Sequence, residues 1–223
     1  MQGQRVLIRD LLYQAIRDAV VTGKLAPGTR VTEVMLAEQF GMSRTPLREA
    51  VARLENEQLV IRLPNGALTI APFDMAQLEE IFDIQERIEG LIVAGLARAK
   101  ESTVVHQLDS ILHSEEAFLS VVNFEKTCEL DIQFHETLWN ESQRVHAASI
   151  LRNFVGMFER YQRLAPLPAD FVSRIRAMHN EHQIIRNAIA EGDGVWAEMA
   201  VKTHVRNSKV FLLHAYKHGH SSK

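Results

Sequence analysis

Gly41-Met42-Ser43-Arg44-Thr45-Pro46-Leu47-Arg48-Glu49-Ala50 packs a chain turn, a helix start and two arginines into one short stretch. Gly41 supplies the backbone geometry that ends the preceding run from Val34 to Phe40, and Ser43 is placed to cap the first free amides of the next helix. Pro46 falls in the first turn of that helix, where its missing N–H costs little, while Leu47, Ala50, Val51 and Leu54 recur at helical spacing and predict one buried face. Arg44, Thr45 and Arg48 occupy the opposite face at the helix N-terminus, the end that enters the major groove in helix-turn-helix proteins. A guanidinium suits guanine O6/N7 or a phosphate, and threonine suits a phosphate or a thymine methyl. Two arginines on a helix also suit plain solvated surface, so the neighbouring sequence has to decide.

Working outward, Leu59-Val60-Ile61-Arg62-Leu63 reads as a strand, Asn65-Gly66 as a tight hairpin turn and Ala67-Leu68-Thr69-Ile70 as the return strand. Upstream, Leu7, Ile8, Leu11, Leu12, Ile16, Ala19 and Val20 predict a first helix over about residues 5 to 22, Pro27-Gly28 a turn, and Thr32 the cap of the second helix. Three helices followed by a two-stranded wing make a winged helix-turn-helix. The chain here resembles the GntR family through Gly23-Lys24-Leu25-Ala26-Pro27-Gly28-Thr29-Arg30, Leu36-Ala37-Glu38-Gln39-Phe40 and the Gly41–Ala50 stretch, with Leu54 and Leu59 following in register. That resemblance implies DNA contacts from Ser43, Arg44, Thr45 and Arg48, and a wing tip at Asn65 and Gly66 that reaches toward the minor groove. Val34 departs from the pattern, because related proteins often carry there an arginine that touches the DNA backbone.

Two domains are expected from 223 residues with 46% hydrophobic content, split as 1–72 and 73–223 at Ala71-Pro72-Phe73-Asp74. The first is net positive and the second net negative within an overall charge of −3, as suits a head that binds a polyanion and a body that avoids it. Apolar runs are broken by charges well short of the ~20 residues a membrane helix requires, and no secretory signal pattern is visible, so a cytoplasmic protein with no membrane partner is expected. The single cysteine, Cys128, lies in a helical pattern and reads as a small buried side chain.

Beyond Asp74 the pattern is helical throughout, with segments expected at about 75 to 99, 102 to 121, 124 to 140, 143 to 164, 170 to 191 and 195 to 217. This predicts an all-α bundle of about six helices. Within it, Asp131 and His135 leave one helix face on adjacent turns, and His182 and His204 come from the last two helices. Three imidazoles and one carboxylate suit a divalent ion, Zn, Ni or Mn, with the choice left open. By residue type alone, a histidine four positions after an aspartate is weak evidence in a chain with ten histidines.

Asp131-x-x-Phe134-His135, Glu181-His182 with Ala188-Ile189-Ala190-Glu191-Gly192-Asp193, and His204 resemble the FCD domain of the FadR subfamily of that family. The resemblance implies that Asp131, His135, His182 and His204 hold a divalent metal in the bundle and that a small carboxylate metabolite completes its coordination. His179, three residues before His182, is the one rival, as a ligand or as a residue that orients one. His106, His113, His146, His214, His218 and His220 read as surface or terminal positions. A second departure concerns the effector: where the pattern places an arginine four residues before Glu89, this chain has Gln85. Gln85 can hydrogen-bond a ligand oxygen without adding charge, and Arg152 or Arg160 could supply the missing cation.

The expected protein is a metabolite-responsive regulator, acting as a repressor, whose homodimer places two recognition helices about 34 Å apart on a pseudo-palindromic operator. Two alternatives are a metal-dependent enzyme acting on a small organic acid and an acyl-CoA-responsive member of the same subfamily.

Overall fold

Helix α1 (Gln2–Val21), α2 (Glu33–Gln39) and α3 (Arg44–Asn56) form the helix-turn-helix core, with Leu12, Ile16, Val20, Leu36, Leu47, Ala50, Val51 and Leu54 all buried. The computed structural model describes residues 2–100, 102–119, 121 and 123–219, so His220 lies outside the described residues. Thr32 caps α2 by accepting from the Met35 amide at 3.1 Å. Ser43 stands at the N-cap of α3 in extended backbone, yet its side chain makes no capping hydrogen bond. The reason is local: the residue three positions on, whose amide a serine cap commonly meets, is Pro46, which has no N–H.

The wing is larger than two strands. β1 (Arg30–Val31), β2 (Val60–Arg62) and β3 (Leu68–Ile70) form an antiparallel sheet in the order β1-β3-β2, with Arg30 opposite Thr69 and Val60 opposite Ile70. A two-residue strand carries no periodicity, so β1 could not be read from spacing. The hairpin closes through Leu63 N–H to the Ala67 carbonyl at 2.8 Å, with Gly66 at φ +82°.

The run from 143 to 164 is two helices, α7 (Val145–Arg152) and α8 (Val155–Arg163), and not the single helix its periodicity predicts. Residues 153–164 join residues 1–74 as one compact unit. Gly156 permits the approach: a Cβ there would lie 2.7 Å from Leu59 Cδ1. Arg160 is fully buried and donates to the Ala71 carbonyl at 2.7 Å and the Pro72 carbonyl at 3.4 Å, while Tyr161 Oη donates to the Asp74 carbonyl at 2.9 Å. Arg17 adds an ion pair to Glu159 at 2.6 Å, and the Tyr13 hydroxyl donates to Glu57. The sequence after Asn153 therefore anchors the segment that leaves the wing.

The other unit comprises residues 75–152 and 165–223, and its described helices are α4 (Met75–Ala99), α5 (Ser102–Phe118), α6 (Phe124–Glu141), α7, α9 (Phe171–Glu191) and α10 (Gly194–Gly219). It is all-α with six helices among the described residues, although α8 is not one of them. Asn123 caps α6 by accepting from Lys126 N at 3.0 Å, and Gly192 ends α9 in the left-handed conformation at φ +77°. Among the described residues, no helix is long and apolar enough to cross a membrane.

Candidate metal centre and DNA-reading surface

In the helical unit, α6 carries Asp131 and His135 four residues apart, while α9 and α10 contribute His182 and His204. All four are buried, and one donor atom from each lies within 4.8 Å of every other. The Nε2 atoms of His182, His204 and His135 stand 3.5, 3.9 and 4.0 Å from Asp131 Oδ1, and those of His135 and His204 are 3.0 Å apart. With bonds of about 2.1 Å to a central ion, neighbouring donors sit about 3.0 to 3.4 Å apart, so small shifts bring all four onto one metal.

The opposite edge of every ligand ring is also accounted for. Nδ1 of His135 meets Glu89 Oε1 at 2.6 Å, Nδ1 of His182 meets Glu115 Oε1 at 2.7 Å, and Nδ1 of His204 meets Glu181 Oε2 at 2.8 Å. Each carboxylate holds a proton on Nδ1 and leaves Nε2 as the lone-pair donor that faces the centre. Phe134 stacks on the His182 ring at 3.8 Å and 5°, which fixes its plane. His182 Nε2 is buried without a hydrogen-bond partner, an atom that a cation would satisfy. The donor set and this orphaned nitrogen fit a divalent metal.

The electrostatics fit as well. Burial opposes ionisation of Asp131, but the three imidazoles outweigh it and hold the carboxyl below the usual carboxylate range. Burial alone would push His182 down; the Glu115 and Asp131 carboxylates overcome it and raise the imidazole to about 10. His204 is pushed down to about 4, by burial and then by the charge on His182. The Glu89 and Asp131 carboxylates likewise raise His135 against its burial, so without metal the cluster favours protons on His135 and His182, and a metal must displace them.

Glu115 is the residue that sequence reasoning missed. It pairs with His182 and, through Oε2, with His179 Nδ1 at 2.9 Å, across sequence separations of 67 and 64 residues that leave no local signal. His179 is accordingly outside the four-donor group and is linked to it through that carboxylate. Glu115→Gln is expected to weaken metal affinity about 10- to 100-fold with an unchanged helical fold, as measured by competition with a metal-binding dye. Affinity equal to that of the unaltered protein would show that the carboxylate does not tune the ligand.

The two arginines weighed for the effector are elsewhere. Arg152 is exposed and donates to Asn140 Oδ1 at 3.2 Å and the Trp139 carbonyl at 3.5 Å, and Arg160 is committed to the carbonyls of Ala71 and Pro72. Neither joins the centre, because α7 turns Arg152 outward and α8 belongs to the other unit. Gln85 is buried and bonds Glu89. His106, His113, His146, His214 and His218 are exposed, and Cys128 is buried.

In the other unit Ser43, Arg44, Thr45, Arg48, Asn65 and Gly66 are all exposed. Arg48 Nε donates to Glu33 Oε2 at 3.0 Å, and Arg62 pairs with Glu55 at 2.9 Å. Asn65 Oδ1 accepts from Ala67 N at 3.1 Å, which folds the wing tip on itself. The wing turn is longer than the two residues Asn65-Gly66, since Gly66 N–H donates to the Leu63 carbonyl at 2.8 Å around Pro64 and Asn65. An arginine-bearing helix N-terminus together with such a wing is a surface suited to a groove and its flanking phosphates.

A winged helix-turn-helix head followed by an α-helical unit with a buried Asp/His₃ cluster is the class of protein that the fold and site define. Residues 9–70 match the bacterial regulatory proteins of the gntR family and residues 80–207 match the FCD domain, and the chain belongs to that family. It is 30% identical over 203 residues to an HTH-type transcriptional regulator of Streptomyces ambofaciens, covering 89% of this chain and 81% of that protein. It is 25% identical over 199 residues to the HTH-type transcriptional repressor RspR of Escherichia coli K12, covering 89% and 86%. The solved structure of E. coli McbR/YncC shares the fold, with a TM-score of 0.78 at 20% identity over 93% of this chain and 98% of that one. The chain is a transcriptional regulator of that family.

Proposed function

We propose that this regulator binds a pseudo-palindromic operator as a homodimer, represses transcription, and changes its DNA affinity when a small carboxylate metabolite occupies a divalent metal centre. The observation that carries the reading is the convergence of four buried donors with a carboxylate behind each imidazole. That arrangement supports a place in the FadR-type branch of the family, and the name of RspR supports repression. Operator reading of this kind is work for a cytoplasmic protein.

Arg44, Thr45 and Arg48 would read base edges and phosphates while Asn65 and Gly66 approach the adjacent minor groove. Asp131, His135, His182 and His204 would hold the metal, and Glu89, Glu115 and Glu181 keep the three rings in the tautomer that ligates. The metal supplies a Lewis-acidic position for a carboxylate oxygen. An effector acts by preferring one of two arrangements of the paired heads, so its influence equals its difference in affinity for them.

The test is fluorescence anisotropy on a duplex selected from a random library by the protein itself, with metal-loaded and metal-stripped protein each titrated with small hydroxy and dicarboxylic acids. At least one acid is expected to shift DNA affinity about 5- to 150-fold in the loaded protein and to have no effect in the stripped one. Equal responses with and without metal would overturn the proposal.

A further inference from the structure

Arg48 of the reading helix and Arg62 of the wing are joined through one carboxylate. Glu33, the first residue of α2, accepts from Arg48 Nε at 3.0 Å through Oε2, and its Oε1 lies 3.7 Å from Arg62 Nη1. Arg62 in turn donates to Glu55 of α3 twice, from Nε to Oε1 at 2.9 Å and from Nη2 to Oε2 at 3.1 Å, and its Nη1 donates to the Gly66 carbonyl at 3.4 Å. The row Arg48–Glu33–Arg62–Glu55 thus runs from the reading helix through the start of α2 to the wing tip. Arg48 is the open end of it, with its side chain 68% exposed against 23% for Glu33. The backbone beneath Glu33 is fixed by the neighbouring Thr32, whose hydroxyl caps α2 at the Met35 amide.

A carboxylate in this place opposes a polyanion, because it cancels charge that Arg48 and Arg62 would otherwise offer to phosphates. What it supplies is direction. With Nε–H taken by Glu33, the far end of the guanidinium carries both Nη groups away from the carboxylate, and two donors at that spacing match O6 and N7 of one guanine. An arginine without such a partner turns among phosphate oxygens and base edges alike. Once DNA displaces water from the pair, the attraction that is weak in solvent strengthens, and departure of Arg48 would leave Glu33 alone beside the phosphates. Resting on the assignment of α3 as the reading helix, we infer that Glu33 is a positioning residue that sets operator specificity. It holds Arg48 by Nε so that Nη1 and Nη2 read a guanine, which lowers general DNA affinity and raises discrimination at that base pair.

The test uses the full chain and the duplex that it selects from a random library, with a panel of duplexes in which each base pair of a half-site is replaced in turn, read by fluorescence anisotropy. The pair that Arg48 reads is the one at which Arg48→Ala loses the preference for guanine. There Glu33→Leu and Glu33→Ala are each expected to reduce that preference about fivefold or more. Their affinity for a random-sequence duplex is expected to hold or rise, since a negative charge is gone, whereas a misfolded head would lose both. Glu33→Gln, whose amide oxygen still accepts from Nε, is expected to keep more of the preference, and a loss equal to that of Glu33→Leu would assign the effect to charge and overturn the inference. In an Arg48→Ala background, Glu33→Leu is expected to change nothing at that pair. An unchanged guanine preference in Glu33→Leu and Glu33→Ala, or an equal drop on every duplex of the panel, also overturns it and leaves Glu33 in a plain surface ion pair. If Arg48→Ala itself leaves every preference intact, the assignment of α3 fails and this inference with it.

Discussion

Replacing Arg44 and Arg48 together by alanine is expected to abolish operator-specific binding by a protein that stays folded and keeps its metal. Both side chains are exposed at the start of α3, where neither supports the core built from Leu47, Ala50, Val51 and Leu54. Arg48 is tied to Glu33 at 3.0 Å with 68% of its side chain exposed. An ion pair that open is worth about 0 to 1 kcal/mol, too little to hold the arginine from a guanine or a phosphate. A bidentate arginine–guanine contact contributes about 1 to 3 kcal/mol, so losing two weakens binding by about 30-fold to more than 10⁴-fold. If either arginine touches only phosphate, its single replacement should weaken all duplexes alike and reduce the salt slope by about one unit. Gel-shift titration at two salt concentrations separates these cases, and unchanged affinity in the double variant would remove α3 as the reading helix.

The second large effect is on the metal. Asp131→Ala with His135→Ala removes two of the four donors from adjacent turns of α6, and the purified protein is expected to hold no stoichiometric metal by elemental analysis. The winged unit has its own core, so DNA affinity without effector should survive while the response to carboxylates disappears. In the unaltered protein the same centre should take up metal with release of protons from the imidazoles that the carboxylates raise, His135 and His182. Apparent metal affinity should therefore fall as pH falls, by up to about tenfold per unit for each proton displaced. Full metal content in the double variant would place the ion somewhere else.

Much of this protein is written locally in its chain. Helix boundaries at Thr32, Asn123 and Gly192 follow from single capping residues, and the hairpin follows from Asn65-Gly66. The four donors that the structure gathers were legible as Asp131-x-x-x-His135 plus two later histidines, because helical spacing and a family pattern are both carried by short stretches. Glu115 was not legible, since its pairing with His179 and His182 depends on α5 lying against α9. Ser43 is a different case, a local one: its cap is cancelled by Pro46 three residues on, which offers no N–H.

By itself, the sequence determined a winged helix-turn-helix with Arg44, Thr45 and Arg48 at the head of its third helix, an all-α body, and the donor types of a metal site. Hydrophobic period, turn chemistry and residue identity are properties of neighbours along the chain. The tertiary structure alone decided that 153–164 belongs with the winged unit, that Arg160 is spent on the carbonyls of Ala71 and Pro72, that Arg152 faces solvent, and that Gln85 is buried and bonds Glu89. Each of those depends on which apolar face covers which other and on which buried polar atom finds a partner. Such pairings are settled by packing across tens of residues, and periodicity along one helix carries no information about them.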